Sequence, residues 1–390
     1  HSSMHTVNKT SSYFIELEEK YGAHNYHPLP VVLEKGKGVF VWDVEGNKYY
    51  DFLSAYSAVN QGHSHPKIVD ALVNQAQKLA LTSRAFYNAN LGEYEKKITE
   101  LFGFDKVLPM NSGAEAVETA VKLARKWSYE VKGIPQNAAK IVVCENNFHG
   151  RTTTIVSFSN DPDANNNYGP FTPGFIKIPY NNLKALEETL ANDSENIAAF
   201  LVEPIQGEAG VYVPDEGFLK SASELCKKYN VLFIADEVQT GIARTGKLIA
   251  CHHENVQPDI LILGKALSGG MYPVSAVLAD DEIMNVIHPG QHGSTFGGNP
   301  IACAVAVAAL NVVEEEKLSE RAEELGQIFR KEIQKLIEKT DLITGVRGKG
   351  LLNAILINDT PESKAAWNLC LALRDNGLLA KPTHGNIIRL

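Results

Sequence analysis

Lys265 stands just past an apolar run, Ile260-Leu261-Ile262-Leu263, and is followed by Gly269 and Gly270. A lysine at the end of a buried strand has two readings. Its stem can lie along the sheet while the amine reaches water. Alternatively, burial disfavours the ammonium form and leaves a neutral, nucleophilic amine near neutral pH, which is what a Schiff-base lysine needs. The glycines leave room for something flat. About 30 residues earlier, Asp236 closes a second apolar run, "VLFIA". That interval is the usual size of one β-α-β step, so both residues are expected on one rim of a parallel sheet. The aspartate could form a structural ion pair or cap the next helix.

Two further stretches sharpen the reading. Ser112-Gly113-Ala114 opens a long amphipathic pattern, with Asn111 or Ser112 as the N-cap and Glu115 near the positive end. This is an ordinary capped helix or, with free amides and small side chains, a phosphate cradle. In "NNFHGRT", Phe148 could stack on a ring or fill core, and Arg151 suits bidentate carboxylate recognition. A lysine amine, a carboxylate to keep a pyridine nitrogen protonated, and a phosphate cradle together ask for pyridoxal phosphate and an amino-acid substrate. "CHHE" at 251–254 crowds four potential ligands, but adjacent side chains diverge, so no metal site is expected. "GVRGKG" at 345–350 reads as a turn into a strand.

The elements that must position these residues alternate along the middle of the chain. "KIVVCE", "AAFLVEP", "VLFIADE", "DILILG" and "VSAVLA" read as buried strands, with helices such as 218–229 and 183–190 between some of them. This is an α/β pattern with a mostly parallel sheet, whose functional residues gather at the carboxyl ends of the strands. The flanks differ. Residues 13–60 hold a short helix and turn-punctuated strands; beyond 298 come long helices, 318–338 and 362–376, and the strand "LLNAILI". The expected division is 1–61, contributing to a small α+β domain; 62–297, a large cofactor-binding domain; and 298–390, the rest of the small domain. Residues 159–174 read as a surface loop or a lid.

The 390 residues are 44% hydrophobic and 21% charged, so there is ample core for a globular chain. A net charge of -9 argues against a broad nucleic-acid-binding face. The longest apolar run, 301–310, is too short to span a bilayer. Five scattered cysteines without a C-x-x-C, and no secretory signal, fit a reducing compartment. The cytoplasm is expected, with the mitochondrial matrix after presequence removal as the alternative. His1–Met4 reads as a tag remnant, and the sequons at Asn8 and Asn192 carry no weight without secretion.

"FIADEVQTGIARTG", "GKALSGGMYPVSAVL", "NSGAEAVETAVKLAR", "FHGRT" and "HGSTFGGNP" resemble the fold-type I, subgroup III aminotransferases, which use pyridoxal phosphate. The likeness covers nearly the whole chain. "GAHNYHPLPVVLEKGKGVFVWDVEGNKYYDFLSAYSAVNQGHSHP", "VEPIQGEAG" and "LLAKPTHGNIIR" resemble the branch acting on ornithine. "FHGR" is shared with the acetylornithine branch, whereas the HNYHPLP segment and Tyr56 favour ornithine. The resemblance implies that Lys265 bonds the cofactor and Asp236 faces its pyridine nitrogen. Gln239 would bond the phenolic oxygen, Phe148 and Val238 would sandwich the ring, and Gly113 and Ala114 would hold the phosphate. Thr295 would reach the phosphate of a partner subunit in a homodimer with active sites at the interface.

Tyr26 and Arg151 match residues that bind the α-carboxylate of ornithine, and Arg389 the one that binds the α-carboxylate of 2-oxoglutarate. Glu208 matches a switch that pairs with Arg389 while ornithine reacts, with Glu203 as the next candidate. The implied products are glutamate and glutamate-5-semialdehyde, which cyclises to pyrroline-5-carboxylate. Two departures stand out. Relatives run on for some tens of residues past the position of Arg389, so the small domain is expected to be truncated in this sequence. His149 occupies a position where relatives with this specificity often carry Trp. The competing readings are an aminotransferase for acetylornithine or 4-aminobutyrate, and a scaffold that kept the fold and lost the chemistry.

Overall fold

The structure is a computed structural model that describes residues 9–390; the His1–Met4 and Asn8 readings lie outside the described residues. Its centre is a seven-stranded sheet. From one edge the strands are Lys106–Met110, Ser275–Ala279, Ile260–Leu263, Leu232–Asp236, Ile197–Val202, Lys140–Cys144 and Phe175–Ile178. Successive side chains of a strand face opposite ways. Val142, Phe200, Phe233 and Leu261 therefore enter one buried cluster, while Ile141, Leu201, Ile234 and Ile262 enter another. Apolar surface on both faces is why these strands read as continuous hydrophobic runs.

The four pairings among the five strands from Phe175–Ile178 to Ile260–Leu263 are parallel. Ser275–Ala279 departs from the expected parallel repeat. It lies antiparallel to both neighbours. A parallel return needs a crossover of a dozen or more residues. The link from Gly264 to Val274 is shorter, and Gly269 and Gly270, at φ of 63° and 79°, turn it back on itself. Lys265 sits in that return.

Two smaller sheets are built from the chain ends. Leu33–Lys37, Phe40–Asp43 and Lys48–Asp51 form one with Leu378–Leu379, which runs parallel to Lys48–Asp51. Ile343–Lys349, Leu352–Ile357, Ile387–Arg389 and Lys381–His384 form the other. The "GVRGKG" stretch thus lies largely within a strand rather than in a turn before one. Arg347 ties that strand to the sheet domain by donating to the carbonyls of Gly210 and Val211. The helix Pro300–Glu315 packs against Pro66–Lys78, Leu91–Phe102 and the Lys265–Ser268 turn. The expected boundary at 297/298 falls inside this packed unit. No described helix is long and apolar enough to cross a membrane. The CHHE side chains disperse: Cys251 is buried, His253 bonds the Thr245 carbonyl, and Glu254 accepts from the Lys220 amide.

Candidate active site

Strand register brings the lysine and the aspartate together. Asp236 pairs with Ile262 across adjacent parallel strands, and Lys265 follows three residues beyond Ile262. Burial, reinforced by the Arg389 guanidinium, pulls the Lys265 pKa down to about 8. A neutral amine is thereby accessible near physiological pH. Its Nζ lies 5.4 Å from the centre of the Tyr56 ring.

Asp236 is not bonded to Lys265. Its Oδ1 accepts from the Val238 amide at 3.1 Å, and its Oδ2 meets Nδ1 of His149 at 2.6 Å. Both side chains are buried. Burial disfavours the imidazolium, but the hydrogen bond and charge of Asp236 outweigh it and raise the His149 pKa. Nε2 of His149 is buried without a partner among the described residues. The sequence flagged His149 only as a departure from its relatives. Its role as the counter-ion of Asp236 depends on a contact across 87 residues of chain. Beside it, burial pushes the Glu203 carboxyl up to about 8, with the nearby Asp236 and Glu208 charges adding. Glu203 accepts from the Phe148 amide at 3.0 Å.

These groups line a cavity of about 170 Å³ together with Gly113, Ala114, Phe148 and Val238. Ser112, not Asn111, caps the helix Gly113–Trp127 in a reciprocal capping box with Glu115. The box satisfies the amides of Ser112 and Glu115. Those of Gly113 and Ala114, in the first turn, have no intrahelical partner. They offer donors at the positive end of a helix to an anion. A Cβ on Gly113 would come within 3.1 Å of Val238, and one on Gly150 within 2.8 Å of the Ala114 methyl. The glycines keep a narrow slot open. A flat ring with an anionic tail at one end and a basic nitrogen at the other fits this donor set.

A second cavity, of about 750 Å³, shares Phe148 and His149 with the first and is also lined by Arg151 and Glu208. Arg151 is exposed and lies over the Phe148 ring, 5.9 Å from its centre. Tyr26 is largely exposed and close enough to Tyr56 to influence its titration. Arg389 is buried at the end of its strand.

The expected pairing of Arg389 with Glu208 is not the contact that forms. Arg389 donates to Gln239 Oε1 at 2.5 Å and to Ser57 Oγ at 3.1 Å, and no carboxylate among the described residues ion-pairs with it. Glu208 is only partly buried, so solvation competes for its charge. It still offsets part of the burial that lowers the Arg389 pKa. Gln239, expected on the cofactor oxygen, is held by Arg389. Thr295 is exposed and does not line the small cavity. Sequence reading missed Ser57, and its signal is faint: a serine one residue after Tyr56.

Comparison with known proteins agrees with this geometry. The family Aminotransferase class-III matches residues 21–390. A rat protein named "Ornithine aminotransferase, mitochondrial" is 64% identical over 381 residues, covering 98% of this chain and 86% of the relative. A crystal structure of acetylornithine aminotransferase from Elizabethkingia anophelis is 79% identical, with a TM-score of 0.91, covering 98% of this chain and 94% of the other. The ornithine aminotransferase of Toxoplasma gondii, in a structure described as showing partial occupancy of PLP at the active site, is 52% identical. Its TM-score is 0.96, with 98% of this chain and 89% of the other covered. The matched span, the identities and the shared fold have one consequence: this chain belongs to the class-III aminotransferases.

Proposed function

We propose that this chain transfers the δ-amino group of ornithine to 2-oxoglutarate, using pyridoxal phosphate, to give glutamate-5-semialdehyde and glutamate. The observation that carries the reading is the arrangement of Lys265 and Asp236 at the ends of adjacent strands, around a slot closed by the Gly113–Trp127 helix. When bound, pyridoxal phosphate supplies an electron sink for the carbon that carries the amine. The amides of Gly113 and Ala114 would hold its phosphate, and Phe148 and Val238 would lie on either side of the ring. Asp236, with His149 behind it, presents a fixed negative charge and holds a proton on the ring nitrogen. The Lys265 amine, eased toward neutrality by burial, takes the substrate proton and returns it.

The two substrates must enter in opposite orientations. A δ-amine at Lys265 leaves the α-carboxylate of ornithine far away, where Tyr26 and Arg151 stand as its ligands. The keto carbon of 2-oxoglutarate has a carboxylate directly attached, and the buried Arg389 beside Tyr56 receives it. Thr295 serves the partner subunit's phosphate in a homodimer; its exposure, with Phe296 and Tyr87 also exposed, supports that arrangement.

A second reading, acetylornithine as donor, is favoured by the name of the Elizabethkingia anophelis protein, which is 79% identical to this chain. A panel of ornithine, N-acetylornithine and 4-aminobutyrate separates the two. Highest kcat/KM with ornithine, and a product that cyclises to pyrroline-5-carboxylate, is the expected outcome. Preference for N-acetylornithine would replace the first reading with the second.

A further inference from the structure

Ser54, Ala55, Tyr56 and Ser57 have φ of 54°, 48°, 57° and 74°. Four consecutive non-glycine residues therefore lie in the left-handed region, which L-residues normally visit singly. Such a run persists only where its surroundings over-determine it. Asp51 holds its start: Oδ1 accepts from the amides of Leu53 at 3.0 Å and Ser54 at 2.9 Å, and Oδ2 meets His63 at 2.6 Å. Beyond its end, Asn60 donates to the Ile242 carbonyl at 2.8 Å and accepts from Arg244 Nε at 3.0 Å and Nη2 at 2.5 Å. Arg244 also donates to the Leu351 carbonyl at 3.1 Å. One half-buried guanidinium thus joins this segment to the hairpin of the C-terminal sheet that carries Arg389.

The same segment touches both functional groups of the site. Ser57 accepts from Arg389. The Tyr56 ring centre is 5.4 Å from Lys265 Nζ and 5.3 Å from Arg389 Cζ. Gln61 donates to the Ala266 carbonyl at 2.9 Å, next to Lys265. A Cβ on Gly270 would lie 2.4 Å from Val59 Cγ1, so the lysine turn and this segment are in direct contact.

We propose that the left-handed turn 54–57, clamped through Asn60 and Arg244, is a positioning element that sets the spacing between the Lys265 amine and the Arg389 guanidinium. It selects acids whose carboxylate is attached directly to the reacting carbon. The proposal rests on the reading of Arg389 as the carboxylate ligand of the keto acid. Its consequence is asymmetric. The half-reaction with 2-oxoglutarate depends on the spacing. The half-reaction with the δ-amine of ornithine does not use Arg389 and is spared.

Ala55 separates backbone conformation from side-chain contact, because its side chain is exposed and the substitution removes no hydrogen-bonding group. Glycine tolerates the left-handed region, whereas β-branched valine strongly disfavours it. Single-turnover absorbance on the holoenzyme reads each half-reaction separately for Ala55→Gly, Ala55→Val, Asn60→Ala and Arg389→Ala. The expected result is a loss of at least about tenfold with 2-oxoglutarate for Ala55→Val and Asn60→Ala, with under about threefold lost with ornithine. Ala55→Gly should follow the parent in both. If Asn60→Ala does not fold, the two Ala55 variants decide. Equal losses in both half-reactions, or none in either, overturn the proposal. If Arg389→Ala impairs the 2-oxoglutarate half while Ala55→Val and Asn60→Ala leave it intact, only the positioning role falls. If Arg389→Ala itself spares that half, the assignment of Arg389 is wrong and the positioning role falls with it.

Discussion

Replacing His149 with phenylalanine should disable the carboxylate behind the reaction centre without touching it. The His149–Asp236 pair is buried on both sides, with 2.6 Å between Nδ1 and Oδ2. Removing one member strands the other. Breaking a buried pair in this way costs about 3–5 kcal/mol. For a chain of 390 residues that corresponds to about 4–6 °C in Tm. Asp236 keeps only the Val238 amide and loses the bond that fixes its orientation. A carboxylate free to turn is a poorer partner for a protonated ring nitrogen, so the ornithine half-reaction should slow by about tenfold or more, roughly 1.4 kcal/mol.

His149→Trp, the residue that relatives often carry here, supplies an indole N–H one atom further from the backbone than Nδ1 and should lose less of both. The pH dependence has a definite sign. The folded His149 pKa is raised above its ordinary value, so its contribution to stability is fully present below about 6.5 and is lost as pH rises through the folded value. The Tm gap between the parent and His149→Phe should narrow accordingly. Calorimetry across pH, with single-turnover absorbance, makes the test. Identical melting and rates for His149→Phe and His149→Trp would refute the pairing as the source of the effect.

Lys265→Ala should abolish turnover while pyridoxal phosphate still binds, as read by equilibrium dialysis. Glu203→Gln should stabilise the protein at alkaline pH. The buried carboxyl titrates near 8 against an ordinary value near 4.5, so it destabilises progressively as pH rises through that interval, by up to about 4–5 kcal/mol above it. A Tm difference that stays flat from pH 5 to about 9 would contradict that burial effect. Arg389→Ala should harm the 2-oxoglutarate half-reaction and spare the ornithine half. Glu208→Ala should shift the rate ratio toward glutamate; an unchanged ratio would assign restraint of Arg389 to Gln239, the group that bonds it.

The strands and the rim that carry Lys265 and Asp236 were legible because burial on both faces writes itself as runs of Val, Ile and Leu. The Gly113–Trp127 helix was legible because its N-terminal signals, Ser112 and Glu115, are local. What the sequence hid was long-range. Nothing near Asp236 points to His149, nothing near Ser57 points to Arg389, and the antiparallel return through Gly269 and Gly270 resembles another β-α step until its length is counted. The left-handed run at 54–57 was hidden for a different reason. It contains no glycine, so its conformation is imposed by contacts from Asp51, Arg244 and Arg389 rather than by local preference. The Glu208–Arg389 pairing came from resemblance alone, and the side-chain amide of Gln239 stands in its place.

Borohydride reduction of the holoenzyme followed by peptide mapping, run before and after a single exposure to ornithine without acceptor, reads the lysine–cofactor bond itself. Before exposure, a stable cofactor adduct is expected on Lys265 and on no other lysine. After exposure, the cofactor has accepted the amino group and no longer bonds the lysine, so the Lys265 adduct should be lost; N-acetylornithine should leave most of it in place. An adduct on another lysine would contradict the assignment of Lys265, and one on Lys265 that ornithine does not diminish would contradict ornithine as the amino donor.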